Sequence, residues 1–114
     1  MGLPTLFLPN RFDKGIIKTS DAVYQMPVNE KKLDNFIHGW VHKREHEIEC
    51  YSTQDKKAVL VTSYTFDKND EMYSYFPVDF KISYTFTLSE NGLLQEIYLT
   101  NNSHKALPVS ICTH

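Results

Sequence analysis

Between residues 78 and 88 the chain alternates without a break. Val78, Phe80, Ile82, Tyr84, Phe86 and Leu88 are apolar, and Asp79, Lys81, Ser83, Thr85 and Thr87 between them are polar. A period of two over that length predicts a strand with one face on a core and the other in water. Ser89-Glu90-Asn91-Gly92 follows, carrying the Asn-Gly pair favoured in tight hairpins. Residues 93–100 then return as a partner strand, with Leu93, Ile97 and Leu99 on one face. Residues 58–66, rich in β-branched and aromatic side chains, predict a third long strand ahead of the polar turn Asp67-Lys68-Asn69-Asp70-Glu71. An aromatic-rich connection, residues 72–77, joins that turn to the alternating strand.

The first forty residues are choppier. An apolar run at residues 2–9 is held between Pro4 and Pro9, and proline cannot donate to a ladder, so it predicts an edge piece. Residues 10–15 read as a turn. Ile16-Ile17-Lys18 and Val23-Tyr24-Gln25-Met26-Pro27-Val28 read as a hairpin around Thr19-Ser20-Asp21. Residues 41–51 carry Lys43, Arg44, Glu45, Glu47 and Glu49 and read as a short helix or an exposed strand, and their neighbours favour the strand. Residues 107–114 open a last strand, with Leu107, Val109 and Ile111 expected toward the core and Pro108, Ser110, Cys112 and His114 on the other face. No stretch sustains a helical period. The expected fold is all-β, an antiparallel sandwich.

Composition narrows the function classes. The chain has 114 residues, enough for one domain or part of one, and 13% of them are aromatic. A net charge of −2 with basic and acidic residues intermixed leaves no footprint for nucleic acid. The longest apolar runs fall far short of the roughly 20 residues that span a bilayer, so no membrane role is expected. No signal peptide opens the chain, and position 6 is leucine where a myristoylation sequence wants Ser or Thr. Two cysteines, Cys50 and Cys112, are too few for a disulfide framework and read as half-buried reduced thiols. A cytoplasmic location is expected. The last strand has no glycine, charge cluster or polar tail after it, so the natural protein is expected to continue beyond His114, with residues 1–114 as the N-terminal part of a single domain.

Candidate chemistry concentrates in Ile37-His38-Gly39-Trp40, which gathers a titratable ring, a backbone free to turn and the only tryptophan. His38, His42 and His46 recur every fourth residue. On a helix they would share a face and could begin a zinc site; on a strand successive rings stand about 13 Å apart and stay solvated. Arg11, next to Asn10 in the turn, offers five fixed donors suited to sugar hydroxyls, carboxylates or phosphates. Trp40 is either a plate for a sugar ring or core packing. No motif for a nucleophile elbow, a phosphate-binding loop or a metalloprotease is present.

The order of several pieces resembles the aldose 1-epimerase, or galactose mutarotase, family. They are Gly2-Leu3-Pro4, Pro9-Asn10-Arg11-Phe12 with Gly15, Tyr24-Gln25-Met26-Pro27, Asn29-Glu30 and Ile37-His38-Gly39-Trp40. After them come Phe76-Pro77, Leu99-Thr100-Asn101-Asn102-Ser103, Pro108-Val109 and Thr113-His114. The resemblance runs through nearly the whole chain. It implies a large β-sandwich that binds a small sugar and interconverts its α and β anomers as an isomerase of carbohydrate metabolism, without metal or organic cofactor. It implies His114 as the general acid, His38 as the second active-site histidine that also contacts substrate, and Arg11 as a hydroxyl-binding arginine. The family's glutamate base and a further sugar-binding aspartate would lie outside this segment, which alone would then be inactive. Phe12 stands where a smaller aliphatic is common, and Trp40 where glycine or phenylalanine is common. The alternatives are a non-catalytic carbohydrate-binding sandwich and a hexose-6-phosphate mutarotase, the Pro9-Asn10-Arg11 sequence favouring free sugars.

Overall fold

The computed structural model describes residues 4–114. Gly2 and Leu3, which begin the first apolar run, lie outside them. Among the described residues all strand pairs are antiparallel. Four long strands, β6 (Glu47–Gln54), β7 (Lys57–Phe66), β8 (Phe80–Ser89) and β9 (Gly92–Asn101), form a meander in chain order. Three two-stranded ladders accompany it. These are β1 (Thr5–Phe7) with β10 (Ile111–Thr113), β2 (Phe12–Asp13) with β5 (Asn35–Phe36), and β3 (Ile16–Lys18) with β4 (Val23–Gln25). The alternating segment is β8, and the expected β3–β4 and β8–β9 hairpins form, the latter with Ser89 opposite Gly92.

One face of the meander makes the core. Phe66, Phe80, Ile82 and Tyr84 are buried there under Phe7, Trp40, Val41 and Phe76 from the ladders and connections. Trp40 is 3% exposed, with ring centroids 5.1 Å from Phe66, 5.7 Å from Phe76 and 6.3 Å from Phe80. It is packing, and no plate for a sugar.

The covering layer is shorter than the sheet. Ten-residue strands run about 33 Å at 3.3 Å per residue, whereas the strands above them have two or three residues. Tyr51, Leu60, Phe86 and Gln95 share a cross-strand row at the edge of that cover. Beyond it Leu88 and Leu93 are exposed, so the last third of the alternating strand does not face the core that its pattern calls for.

Two segments differ from the sequence expectation. Val41–Lys43 is a 3-10 turn and only Glu47–Gln54 is a strand. The turn closes with Lys43 N–H donating to Trp40 O and Arg44 N–H to Val41 O, because burying Trp40 and Val41 side by side bends the backbone there. At the other end the strand is confined to Ile111–Thr113, after Pro108. Val109 is 67% exposed, so the expected core face of residues 107–114 holds only at Leu107, which packs against the core. Cys50 and Cys112 are both exposed thiols, not half-buried ones.

The β6–β7 hairpin turns on Asp55 and Lys56, with φ of 52° and 60°. Two consecutive left-handed residues make the turn that suits strand twist, normally filled by Asn-Gly. Replacing Asp55-Lys56 by Asn-Gly is expected to raise stability by about 1 kcal/mol, since a left-handed side-chain residue costs about that much. Urea denaturation reads it, and an unchanged midpoint would contradict it.

Candidate active site

The chain enters the His38 stretch through a loop that folds on itself. Asn29 Oδ1 accepts from Ile37 N–H at 2.8 Å and Asn29 Nδ2 donates to Ile37 O at 2.9 Å, so one side chain imitates a ladder partner. Asn29 and Glu30 N–H both donate to Asn35 O. His38 and Gly39 then follow with φ of 68° and 62°. A Cβ on Gly39 would lie 1.9 Å from Phe7 O, so the glycine is required by the close pass over β1 as well as by its left-handed conformation.

Meanwhile β10 is held against β1. Thr113 pairs with Thr5, His114 N–H donates to Pro4 O at 3.0 Å, and Leu8 N–H donates to Ser110 O at 3.0 Å. Ser110 Oγ also donates to Asn10 Oδ1 at 2.8 Å, tying the last strand to the Arg11 turn. The result is that His38 and His114, 76 residues apart in the sequence, meet with ring centroids 5.0 Å apart and planes at 66°. His38 Nδ1 is buried without a hydrogen-bond partner among the described residues.

Arg11 is engaged by Glu30, a carboxylate that His38 also influences. Its Nε is 3.1 Å from Glu30 Oε2 and its Nη2 3.2 Å from Glu30 Oε1. Glu30 Oε2 also accepts from Asn35 Nδ2 at 2.9 Å. These bonds, Asn35 first and Arg11 second, hold the Glu30 carboxyl below the usual range, with a smaller contribution from His38. The Arg11 side chain as a whole remains 61% exposed. Sequence reasoning missed Glu30 as its partner, although Asn29-Glu30 stood among the family pieces. Nothing local pairs Arg11 with a residue nineteen positions away.

Past Trp40 lies a second cluster. Arg44 grips Asp70 through Nε (2.6 Å) and Nη2 (3.0 Å) and reaches Glu71 (3.1 Å). Asp70 also accepts from Tyr64 OH and caps the turn Glu71–Ser74 through Met72 N–H. Burial alone would raise the Asp70 carboxyl, yet the bonds from Arg44, Tyr64 and Met72 outweigh it and keep it low. His46 lies against Tyr64 and Tyr84, at 5.7 and 5.3 Å. The zinc alternative needs His38, His42 and His46 on one helical face. Of residues 38–46 only Val41–Lys43 is helical, and among the described residues no group of three or more His, Cys, Asp or Glu is arranged to hold a metal ion.

Burial lowers both His42 and His46, and Lys43 and His38 lower His42 further. A histidine whose folded value is depressed stabilises the fold above its ordinary value and loses that contribution as pH falls, because the unfolded chain takes the proton first. Stability is therefore expected to start declining below about pH 6.5. The double variant His42→Gln/His46→Gln should flatten that limb in chemical denaturation followed from pH 7.5 to 5. An unchanged limb would contradict it.

The sequence model of the aldose 1-epimerase family matches residues 1–114, the whole chain. The chain belongs to the aldose 1-epimerase family. Among solved structures, a galactose mutarotase-like protein from Clostridium acetobutylicum superposes with a TM-score of 0.94 at 35% identity, over 99% of this chain. The all-β antiparallel architecture is thus the galactose mutarotase-like fold. The chain spans about a third of that protein's length, 33%. The chain brings two histidines together; among the described residues no helix is long and apolar enough to cross a membrane.

Proposed function

We propose that the full-length protein is an isomerase that interconverts the α and β anomers of a free aldohexose by acid–base ring opening. The observation that carries this reading is the 5.0 Å approach of His38 and His114 in a chain of the aldose 1-epimerase family. In the proposed step a carboxylate outside residues 1–114 takes the proton of the anomeric hydroxyl. The bond between C1 and the ring oxygen breaks, and the ring oxygen takes a proton from the imidazolium of His114. The aldehyde turns about its bond to C2, and reclosure with reversed proton transfers gives either anomer. His38 holds the ring oxygen region and the second proton position, and Arg11 binds hydroxyls. Imidazole suits this exchange because a group titrating near the operating pH can both give and take a proton.

The partners proposed are a small-molecule sugar and the remainder of the same domain. No metal or organic cofactor enters this reading. The cytoplasm is the proposed location, since two exposed free thiols suit a reducing compartment. A purely sugar-binding role is less well supported, because the aromatic plate that it would use is buried. Polarimetry on fresh α-glucose and α-galactose tests the proposal. The full-length protein should speed equilibration, and residues 1–114 alone should match buffer because the base is outside them. A full-length protein no faster than buffer on either sugar would sink the enzyme reading.

A further inference from the structure

Glu30 is held in place independently of Arg11. Its N–H donates to Asn35 O at 2.9 Å, and the N–H groups of Leu33 and Asn35 donate back to Glu30 O. Its Oε2 accepts from Asn35 Nδ2 at 2.9 Å. Main chain and carboxylate are both fixed within residues 30–35, and the side chain is only 22% exposed. Arg11 comes to it from another element. Phe12 pairs with Phe36 and Asp13 with Asn35, so Arg11 and Ile37 are the residues just past this ladder. Ile37 is clamped at both main-chain groups by Asn29 and leads directly into His38. Asn10, which precedes Arg11, accepts from Ser110 Oγ, four residues before His114. Arg11 thus sits in a turn tied to the segments that carry both imidazoles.

The contact is bidentate. Nε and Nη2 of Arg11 both donate to the carboxylate, and this edge-on grip fixes the plane of the guanidinium as well as its place. Ion pairs with an exposed partner contribute little to stability, so holding the fold together is a poor account of it. Its larger effect is on charge. A lone guanidinium suits phosphate as well as it suits hydroxyls. The bonds from Asn35 and Arg11 hold the Glu30 carboxyl below its usual range, so it is ionised at neutral pH and cancels the arginine's charge.

We propose that Glu30 is a positioning residue that sets the specificity of Arg11, holding the guanidinium in one plane for the hydroxyls of an uncharged sugar and withholding its charge from phosphate. The inference rests on the mutarotase reading for Arg11 meeting a sugar. Donors on the Nη1 edge, away from the carboxylate, serve the hydroxyls. Glu30 itself touches no substrate and acts through Arg11.

Inorganic phosphate titrated into the full-length protein by calorimetry at pH 7.5 and low salt tests it, with mutarotation of α-glucose and α-galactose followed beside it. Glu30→Gln keeps an oxygen that can accept from Arg11 and Asn35 but removes the charge. Checked for an intact fold by thermal melting, it should bind phosphate about tenfold tighter than wild type, a gain that added salt screens. Glu30→Asp, which keeps the charge, should stay within about twofold of wild type, and Arg11→Gln/Glu30→Gln should lose the gain. For the sugar turned over, Glu30→Gln should raise KM about fivefold with kcat within about twofold, since only a binding group is loosened. Equal phosphate affinity in Glu30→Gln and wild type overturns the proposal. So does a gain that survives loss of Arg11, or a fall in kcat at unchanged KM. Where Glu30→Gln does not fold, Arg11→Gln decides. Phosphate affinity within about twofold of wild type then supports the proposal, and a loss of about tenfold or more overturns it, because the charge was available all along. If wild type turns over neither sugar, the enzyme reading falls and glucose affinity by calorimetry takes the place of KM. Turnover by wild type without the phosphate gain in Glu30→Gln removes the role of Glu30 alone.

Discussion

His114→Asn in the full-length protein is expected to lower kcat for anomer interconversion by about 10²–10⁴, the usual contribution of a positioned acid or base. Asparagine keeps a planar, hydrogen-bonding side chain of similar reach but cannot exchange a proton near neutral pH. The fold should tolerate it, because residue 114 is exposed and is held by its main-chain N–H to Pro4 O rather than by its ring. KM should change little, since the interaction removed is one made as the ring opens. The pH–rate profile should lose the limb that reports the acid. A variant with normal kcat and raised KM would assign His114 to binding instead.

Gly39→Ala is expected to cost more than about 3 kcal/mol, among the larger single-residue losses. The new methyl would sit 1.9 Å from Phe7 O and 3.1 Å from Phe7 C, both backbone atoms that no rotamer change can move. Its φ of 62° adds about 1–2 kcal/mol for a residue with a Cβ. Relief requires β1 to shift, and β1 carries β10 and thus His114 with it. Activity should therefore fall even in whatever fraction remains folded. Urea denaturation beside wild type decides it, and a loss below about 1 kcal/mol would show that the pass over β1 is looser than drawn.

The long strands were legible because period two survives any amount of tertiary context. The alternation at residues 78–88 marked β8 even though its far end finds no cover. The 3-10 turn at Val41–Lys43 was not legible, since three residues are too few to display a period. The Asp55-Lys56 turn escaped notice for want of a glycine or asparagine to announce it. Trp40 could not be assigned locally, because platform and filler are the same residue and the deciding neighbours, Phe66, Phe76 and Phe80, come much later in the chain. The approach of His38 to His114 lay beyond any window, for it depends on β1 pairing with β10. Only the ordered set of family pieces hinted that the two rings belong together.

That pairing divides the labour of the molecule. The two imidazoles are held by the left-handed step at His38-Gly39 and by the β1–β10 ladder. Thr62, Tyr84, Phe86 and Gln95, which face a neighbouring cleft, belong to the long meander. Substitutions along those strands can remodel the cleft while the two imidazoles keep their places. The face of the long sheet and the imidazole pair are thus open to change at different rates over a lineage's history.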